Sequence, residues 1–136
     1  MEKLIVYTNQ VGSVALCVPT GELPIEEVQQ KDIPEGVQSY IINRSDLPED
    51  YYDFIDAWVQ TEGVVTVDLN MAKEVTKRRL RIARQKLLEQ QDILFQRALE
   101  TGSDTTAIVA EKQRLRDVTN LADSCTTLEE LRNLSV

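Results

Sequence analysis

The chain has 136 residues, enough for one compact domain or for a small domain with an extended appendage. Hydrophobic residues make up 42% of it, so wholesale disorder is not expected. The formal net charge of −8 disfavours nucleic-acid binding and favours solubility. Histidine is absent, which excludes the Ser-His and Cys-His nucleophile systems and the usual imidazole metal ligand.

The charge is unevenly distributed along the chain. Residues 1–70 carry 13 acids and 3 bases, whereas residues 71–136 carry 10 acids and 12 bases. No apolar run approaches the roughly 20 residues needed to span a bilayer, and the N-terminus does not resemble a signal peptide. We therefore expect no membrane attachment, and we expect Cys17 and Cys125 to be reduced and at least half-buried.

Residues 1–69 predict a small α+β domain built on one antiparallel β-sheet with short helices. Lys3–Thr8 and Ser13–Val18 are short β-branched runs separated by NQVG, which is typical of a hairpin. Val37–Asn43 and Val64–Asp68 predict two further strands. Between them, residues 24–36 predict a short helix that begins at a proline and stops at Pro-Glu-Gly.

A second short helix is predicted after the turn sequence NRSDLP. Tyr51, Phe54, Ile55 and Trp58 recur at helical spacing and are expected to lie in the core. The acidic residues around them lack the central glycine and the final glutamate of a calcium-binding loop, so we interpret them as a solvated helix face. These acids are Asp46, Glu49, Asp50, Asp53 and Asp56.

Residues 70–136 predict a second region, a long helical hairpin with a short terminal helix. No proline or glycine occurs from Asn70 until Gly102 is reached, so a helix about 45 Å long is expected. Gly102 suits the left-handed position after a helix, and Ser103 or Asp104 suits the next N-cap. The apolar stripe of the long helix comprises Thr76, Leu80, Ala83, Leu87, Leu94 and Ala98, flanked by Leu88, Phe95 and Leu99.

The rest of the hairpin is predicted from a second periodic segment. The sequence Thr126-Thr127-Leu128-Glu129 is typical of a capping box and predicts a last short helix ending at Leu134. A short loop between two amphipathic helices implies an antiparallel arrangement. The stripe of the second helix comprises Ile108, Val109, Leu115, Val118 and Leu121.

Sequence motifs for catalysis or cofactor binding are absent. There is no GxGxxG, no GxxxxGK[ST] and no CxxC. We therefore predict no catalytic residue, no cofactor and no metal site.

The basic residues between Lys77 and Lys86 raise the alternative of DNA binding. Lys77, Arg81 and Arg84 project within about 60° of one another at 100° per residue, whereas the other basic residues point elsewhere, so they do not form one row facing a groove. An acidic N-terminal half would also repel DNA. We interpret this side of the helix as a protein-binding surface that meets acidic protein, either the N-terminal half or a neighbouring subunit. The candidate interaction residues are Leu80, Arg81, Arg84, Leu87, Leu88, Leu94, Phe95 and Leu99.

Four segments carry a family resemblance. In chain order, the four segments are KDIPEGVQSYIINRSDLPED with FIDAW, then VTVDLNMAKEVTKRRLRIAR, then FQRALETGSDTTAIVAEKQRLRDVT, and last TTLEELRNL. They resemble small proteins encoded among the tail and tail-fibre genes of tailed bacteriophages and prophages. The resemblance covers residues 30–134, with LRDVT and its spacing to RALETG as the most specific part. The chain departs from the family pattern RDR, because the position of its aspartate is occupied here by Arg78 or Arg79, which makes the start of the helix more basic.

The resemblance implies a role in a phage tail and no catalytic residues. We expect a non-enzymatic structural or adaptor protein of the tail tip, baseplate or tail-fibre attachment, located in the virion and assembled in the host cytoplasm. Its partners would be other tail or tail-fibre proteins and further copies of itself in a symmetric assembly. A tail-fibre assembly chaperone and a small DNA-binding regulator are the alternatives.

Overall fold

The computed structural model describes residues 2–136 and confirms an α+β fold. The chain divides into two compact units, the second of which is Ala72–Val136. The sequence places the division between residues 69 and 70, whereas the structure places it after Met71, in the first turn of the long helix. Each unit has its own buried residues.

The first unit is built around one central strand. β1 (Lys3–Thr8) pairs antiparallel with β2 (Val14–Cys17) and with β3 (Ser39–Asn43), giving the order β2-β1-β3. Both faces of β1 are covered, because Leu4, Ile5 and Val6 are all buried. The predicted strands are confirmed, and α1 (Ile25–Asp32) confirms the predicted first helix.

The helix predicted across Trp58 is wrong in its type and its end. Residues Glu49–Ala57 form kinked 3₁₀ turns, and Trp58 begins β4 (Trp58–Thr61), which pairs with β5 (Val64–Val67) as a separate two-stranded sheet. The helical spacing of Phe54 and Trp58 is real, and both side chains are buried. Because this spacing indicated a helix, the four-residue strand β4 and the second sheet that it forms with β5 were not predicted from the sequence.

A two-residue turn joins β4 to β5 and lies against β3. Glu62 has φ +51° and Gly63 has φ +85°, as a tight hairpin turn with left-handed residues requires. A Cβ placed on Gly63 would lie 3.0 Å from Tyr40 Cβ and 3.3 Å from Ile42 Cγ2. The turn therefore needs glycine both for its backbone angle and for its close approach to β3.

The second unit is the predicted helical hairpin. Residues 72–136 contain helices and no strands. α2 (Leu69–Thr101) is followed by α3 (Thr106–Asp117), a 3₁₀ segment (Val118–Ser124) and α4 (Leu128–Arg132). α3 is shorter than predicted, because the stripe residues Val118 and Leu121 belong to the 3₁₀ segment. Cys125 is buried, Cys17 is half-buried, and neither forms a disulfide within residues 2–136.

Local hydrogen bonds set the ends of these helices. Gly102 has φ +69°, and the bonds from its N–H to Leu99 O (3.3 Å) and from Ser103 N to Ala98 O (2.8 Å) confirm the predicted stop. Asp104 Oδ1 accepts hydrogen bonds from the backbone N–H and the hydroxyl of Thr106, and the hydroxyl is the main cause of its lowered pKa.

The capping box of the last helix lies one residue later than predicted. The N-cap is Thr127, whose Oγ1 accepts a bond from Glu130 N (3.2 Å), while the Glu130 carboxylate accepts bonds from the hydroxyls of Thr126 (2.9 Å) and Thr127 (3.2 Å). Two adjacent threonines followed by two adjacent glutamates made both registers compatible with the sequence pattern.

The turn at Gly63 yields a stability prediction with a matched control. Gly63→Ala and Gly12→Ala place a Cβ at the same backbone angle, since φ is +85° and +86°, but nothing lies within 4 Å of a Cβ at Gly12. Both should lose about 1 kcal/mol to the left-handed conformation, and Gly63→Ala should lose roughly a further 1–3 kcal/mol to overlap with β3. Urea unfolding followed by the fluorescence of Trp58 measures both, and equal losses would contradict the close packing.

Candidate protein-interaction surface

The long helix α2 begins after the capping residue Asp68 and buries only four of its side chains. Asp68 Oδ1 accepts a 2.8 Å hydrogen bond from Met71 N, which satisfies one of the free donors of the first turn. Thr76 is fully buried, and its hydroxyl donates to Ala72 O at 2.9 Å, so no polar group is left unpaired there. The buried residues of α2 are Ala72, Thr76, Leu80 and Ala98.

The predicted interaction residues do not share one environment. Leu80 is 1% exposed and therefore belongs to the interior of the unit. Leu87, Leu88 and Phe95 are half-buried. Leu94 and Leu99 are 44% and 56% exposed, so both lie at the surface of the second unit. One partner helix covers only one line along α2, so apolar residues beside that line remain at the surface.

Arg84 is half-buried and makes its hydrogen bonds within the hairpin. Its Nη1 donates hydrogen bonds to the carbonyl oxygens of Leu115 (3.2 Å) and Arg116 (2.7 Å). These carbonyls lie in the last turn of α3, where the regular helical bonding pattern ends and the helix dipole places partial negative charge. A cation at this position stabilises the end of α3 and fixes it on α2.

Arg79 makes the same kind of contact with the end of α4. Its Nη2 donates to Leu131 O at 3.1 Å and to Leu134 O at 2.9 Å. The Leu131 side chain is fully buried. Leu131 is therefore held in two ways, by the burial of its side chain and by the Arg79 guanidinium that donates to its carbonyl oxygen. Arg79 and Arg84 thus hold two C-terminal helices on one long helix.

Ion pairs add to this arrangement at both ends of the hairpin. Lys77 Nζ lies 2.6 Å from Asp123 Oδ1 and 3.4 Å from Glu74 Oε1, and the hydrogen bond with Asp123 is the largest cause of the raised pKa of Lys77. Near the loop, Lys112 Nζ lies 2.6 Å from Asp92 Oδ1 and 5.0 Å from the centre of the Phe95 ring. The acids of these pairs are exposed, so solvent screens the attraction and the pairs add little to the stability of the hairpin.

Lys77, Arg79 and Arg84 therefore bind groups within the second unit. Sequence reasoning placed Arg84 on an interaction surface because its carbonyl partners lie 31 and 32 positions away, and no local pattern marks them. Arg81 and Lys86 are exposed. Of the two arginines among the candidate interaction residues, Arg81 is exposed, whereas Arg84 is half-buried and bonded to the end of α3.

Large aliphatic side chains are exposed along the hairpin. Ile82 is 69% exposed and Ile93 53%, and Ile93 borders a shallow depression of about 390 Å³ with Asp92, Gln96, Arg97 and Glu100. The residues extend over about 26 Å of α2 at 1.5 Å per residue and continue onto α3. We call them the exposed apolar set: Ile82, Ile93, Leu94, Leu99 and Val109.

Comparison with known proteins adds no assignment to this surface. No protein-family model, no curated protein and no solved structure matches the chain. Within residues 2–136, no three or more cysteine or acidic side chains are grouped so that they could hold a metal ion. In the same part of the chain, no helix has both the length and the apolar character needed to cross a membrane.

The hydrogen bonds of Arg84 predict a specific loss of stability. Arg84→Met keeps most of the apolar stem but removes the donors, and should cost about 1–2 kcal/mol, because two carbonyls lose a charged partner at a half-buried position. Arg81→Met, at an exposed position on the same helix, should cost less than about 0.5 kcal/mol. Thermal unfolding followed by far-ultraviolet circular dichroism compares them, and indistinguishable variants would show that the carbonyl contacts contribute nothing.

Proposed function

We propose that this chain is a non-enzymatic structural or adaptor protein of a bacteriophage tail, located at the tip, the baseplate or the tail-fibre attachment. It acts through protein–protein contacts, with other tail proteins and further copies of itself as partners. The resemblance of residues 30–134 to proteins encoded among phage tail genes supports the proposed location in a phage tail. The observation that carries the binding role is the exposed apolar set of the hairpin.

The exposed apolar set is costly to leave in water. Fully burying a side chain of this kind contributes about 1.5–3 kcal/mol, so five members that are each 44–69% exposed leave a substantial driving force for association. A hairpin of two helices has one interface, and each helix keeps an outer side that a further helix can cover. Ile82 and Ile93 project within about 20° of each other at 100° per residue, so one further helix can cover both of them.

The basic residues of α2 support protein binding over the DNA-binding alternative. Lys77, Arg79 and Arg84 are already bound to Asp123 and to helix-end carbonyls. Affinity for DNA depends on the number of phosphates that cations neutralise. Releasing these three side chains for phosphate contacts would break the bonds that hold α3 and α4 in place.

Mass spectrometry of purified particles tests the proposed location. Particles produced from the genome that carries this gene should contain the chain in amounts comparable with those of other minor tail proteins. Particles that lack it, together with its recovery bound to free tail-fibre protein, would replace the structural role with that of an assembly chaperone.

Sedimentation of surface variants tests the role of the exposed apolar set. The wild-type chain should self-associate, and Leu94→Asp or Ile93→Asp should weaken that association by about tenfold or more, because a buried carboxylate is introduced at the contact. Val11→Asp is the matched control, since Val11 is 83% exposed in the turn between β1 and β2.

Unchanged folding by circular dichroism is required of all three variants. A wild-type chain that stays monomeric at every concentration, or a control that dissociates as strongly as the hairpin variants, would contradict self-association through this surface.

A further inference from the structure

The strand β3 leaves one edge of the three-stranded sheet open. β3 pairs with β1 only, in the order β2-β1-β3. Arg44 N donates to Glu2 O at 2.9 Å, so the alternation of an antiparallel pair directs the backbone groups of Ile42 and Tyr40 toward β1. The N–H and C=O groups of Ile41 and Asn43 then point away from the sheet.

One of these outward groups is already used, because Asn43 is the N-cap of the 3₁₀ helix Arg44–Asp46 and its C=O accepts the first bond of that helix. At the start of the edge, Gln29 Nε2 donates to Ser39 O (3.2 Å) and Ser39 Oγ (3.0 Å). Among the bonds of residues 2–136 outside the helices and strands, none reaches Ile41 or the N–H of Asn43. The edge therefore offers the N–H and C=O of Ile41 and the N–H of Asn43 in the spacing that an added strand uses.

The edge lacks the features that usually prevent strand addition. Its sequence SYIIN contains no lysine, no proline and no other charge, and all five residues are half-buried. Exposed edges without such protection pair readily with other chains. An edge of this composition that persists in a folded protein is expected to have a partner.

A cavity runs beside this edge and gives it a defined shape. Its volume is about 700 Å³, sufficient for several side chains of a bound segment. It is bounded on one side by β3 and on the other by the turn between β4 and β5, which lies against Tyr40 and Ile42. Its lining also includes two acids, Asp46 and Glu62.

The charge of the cavity selects among possible segments. Asp46 and Glu62 contribute two carboxylates and the lining contains no lysine or arginine. Residues 1–70 as a whole have 13 acids against 3 bases. Glu62 also occupies a left-handed conformation that asparagine or glycine would adopt at lower cost, and strain of this kind is common where a side chain serves binding.

We propose that the open edge of β3 binds an extended, basic segment of another protein as an additional strand. The N–H and C=O of Ile41 and the N–H of Asn43 bond to the added strand, and the carboxylates of Asp46 and Glu62 attract its lysine or arginine side chains. This surface is separate from the exposed apolar set, so the inference stands or falls independently of the proposed tail function.

The test uses the full chain and two capped probe peptides. One has the sequence Thr-Lys-Val-Thr-Val-Lys-Thr, and the other carries glutamate in place of lysine. In ¹⁵N-¹H spectra, the basic peptide should shift the amide signals of Ile41 and Asn43, and the acidic peptide should not. N-methylation of the basic peptide at alternate residues should abolish binding in one register and spare it in the other, because only alternate N–H groups face β3.

Variants of the cavity separate charge from folding. Glu62→Asn should raise the Kd of the basic peptide about threefold at low salt, while leaving the chain as stable as the wild type or more so, because asparagine tolerates the left-handed conformation. Glu22→Gln is the matched control, since Glu22 lines a different cavity, beside Cys17. Its Kd should stay unchanged.

Other outcomes would overturn the proposal. These are equal binding of both peptides, the absence of shifts at Ile41 and Asn43, or shifts confined to the helical hairpin. Concentration-dependent shifts of the same two amides without peptide would assign the edge to a second copy of this chain instead.

Discussion

The arrangement of the second unit depends on guanidinium groups that bond to the ends of other helices. Arg84 reaches the last turn of α3 and Arg79 reaches the end of α4, in both cases through two carbonyl oxygens. Helix-end carbonyls carry partial negative charge and lack regular partners. α3 buries only Leu115 and α4 buries only Leu131, so these two short helices have few hydrophobic contacts of their own. The bonds from Arg84 and Arg79 therefore help to hold both of them on the long helix.

This constraint divides the surface of the hairpin between two kinds of contact. The bonds of Lys77, Arg79 and Arg84 are used within the unit, which leaves fewer cations for an external polyanion. The contact lines with α3 and α4 still leave aliphatic side chains such as Ile93 and Leu99 in solvent. Internally bound cations and exposed aliphatic residues are the two features from which we propose protein binding and not nucleic-acid binding. The open edge of β3 adds a second, chemically different surface on the first unit.

Local rules of sequence account for the parts of the fold that local interactions determine. The length of α2 follows from a stretch without glycine or proline, and its end follows from Gly102. Trp58 shows where a local rule fails, because its helical spacing from Phe54 is compatible with a strand that starts at Trp58. Four residues of β4 are too short to reveal alternation, and Glu-Gly is a weaker turn signal than Asn-Gly.

The candidate surface was predicted less well than the fold, for a physical reason. Helical periodicity indicates which residues lie on one side of α2, but it does not indicate how wide a line α3 covers. Leu80 and Leu94 belong to the same predicted stripe, yet one is buried and the other is 44% exposed. The carbonyl partners of Arg79 are more than fifty residues away along the chain, so only the folded structure relates them.

Nitrogen-detected nuclear magnetic resonance of the arginine side chains tests the central claim most directly. A guanidinium held by two carbonyls rotates slowly about its Nε–Cζ bond, so its terminal nitrogens give separate signals. Arg79 and Arg84 should show such separate signals in the full chain, whereas the exposed Arg81 should show an averaged signal. Averaged signals for Arg79 and Arg84 that become separate only when DNA is added would contradict the account and favour a DNA-binding role.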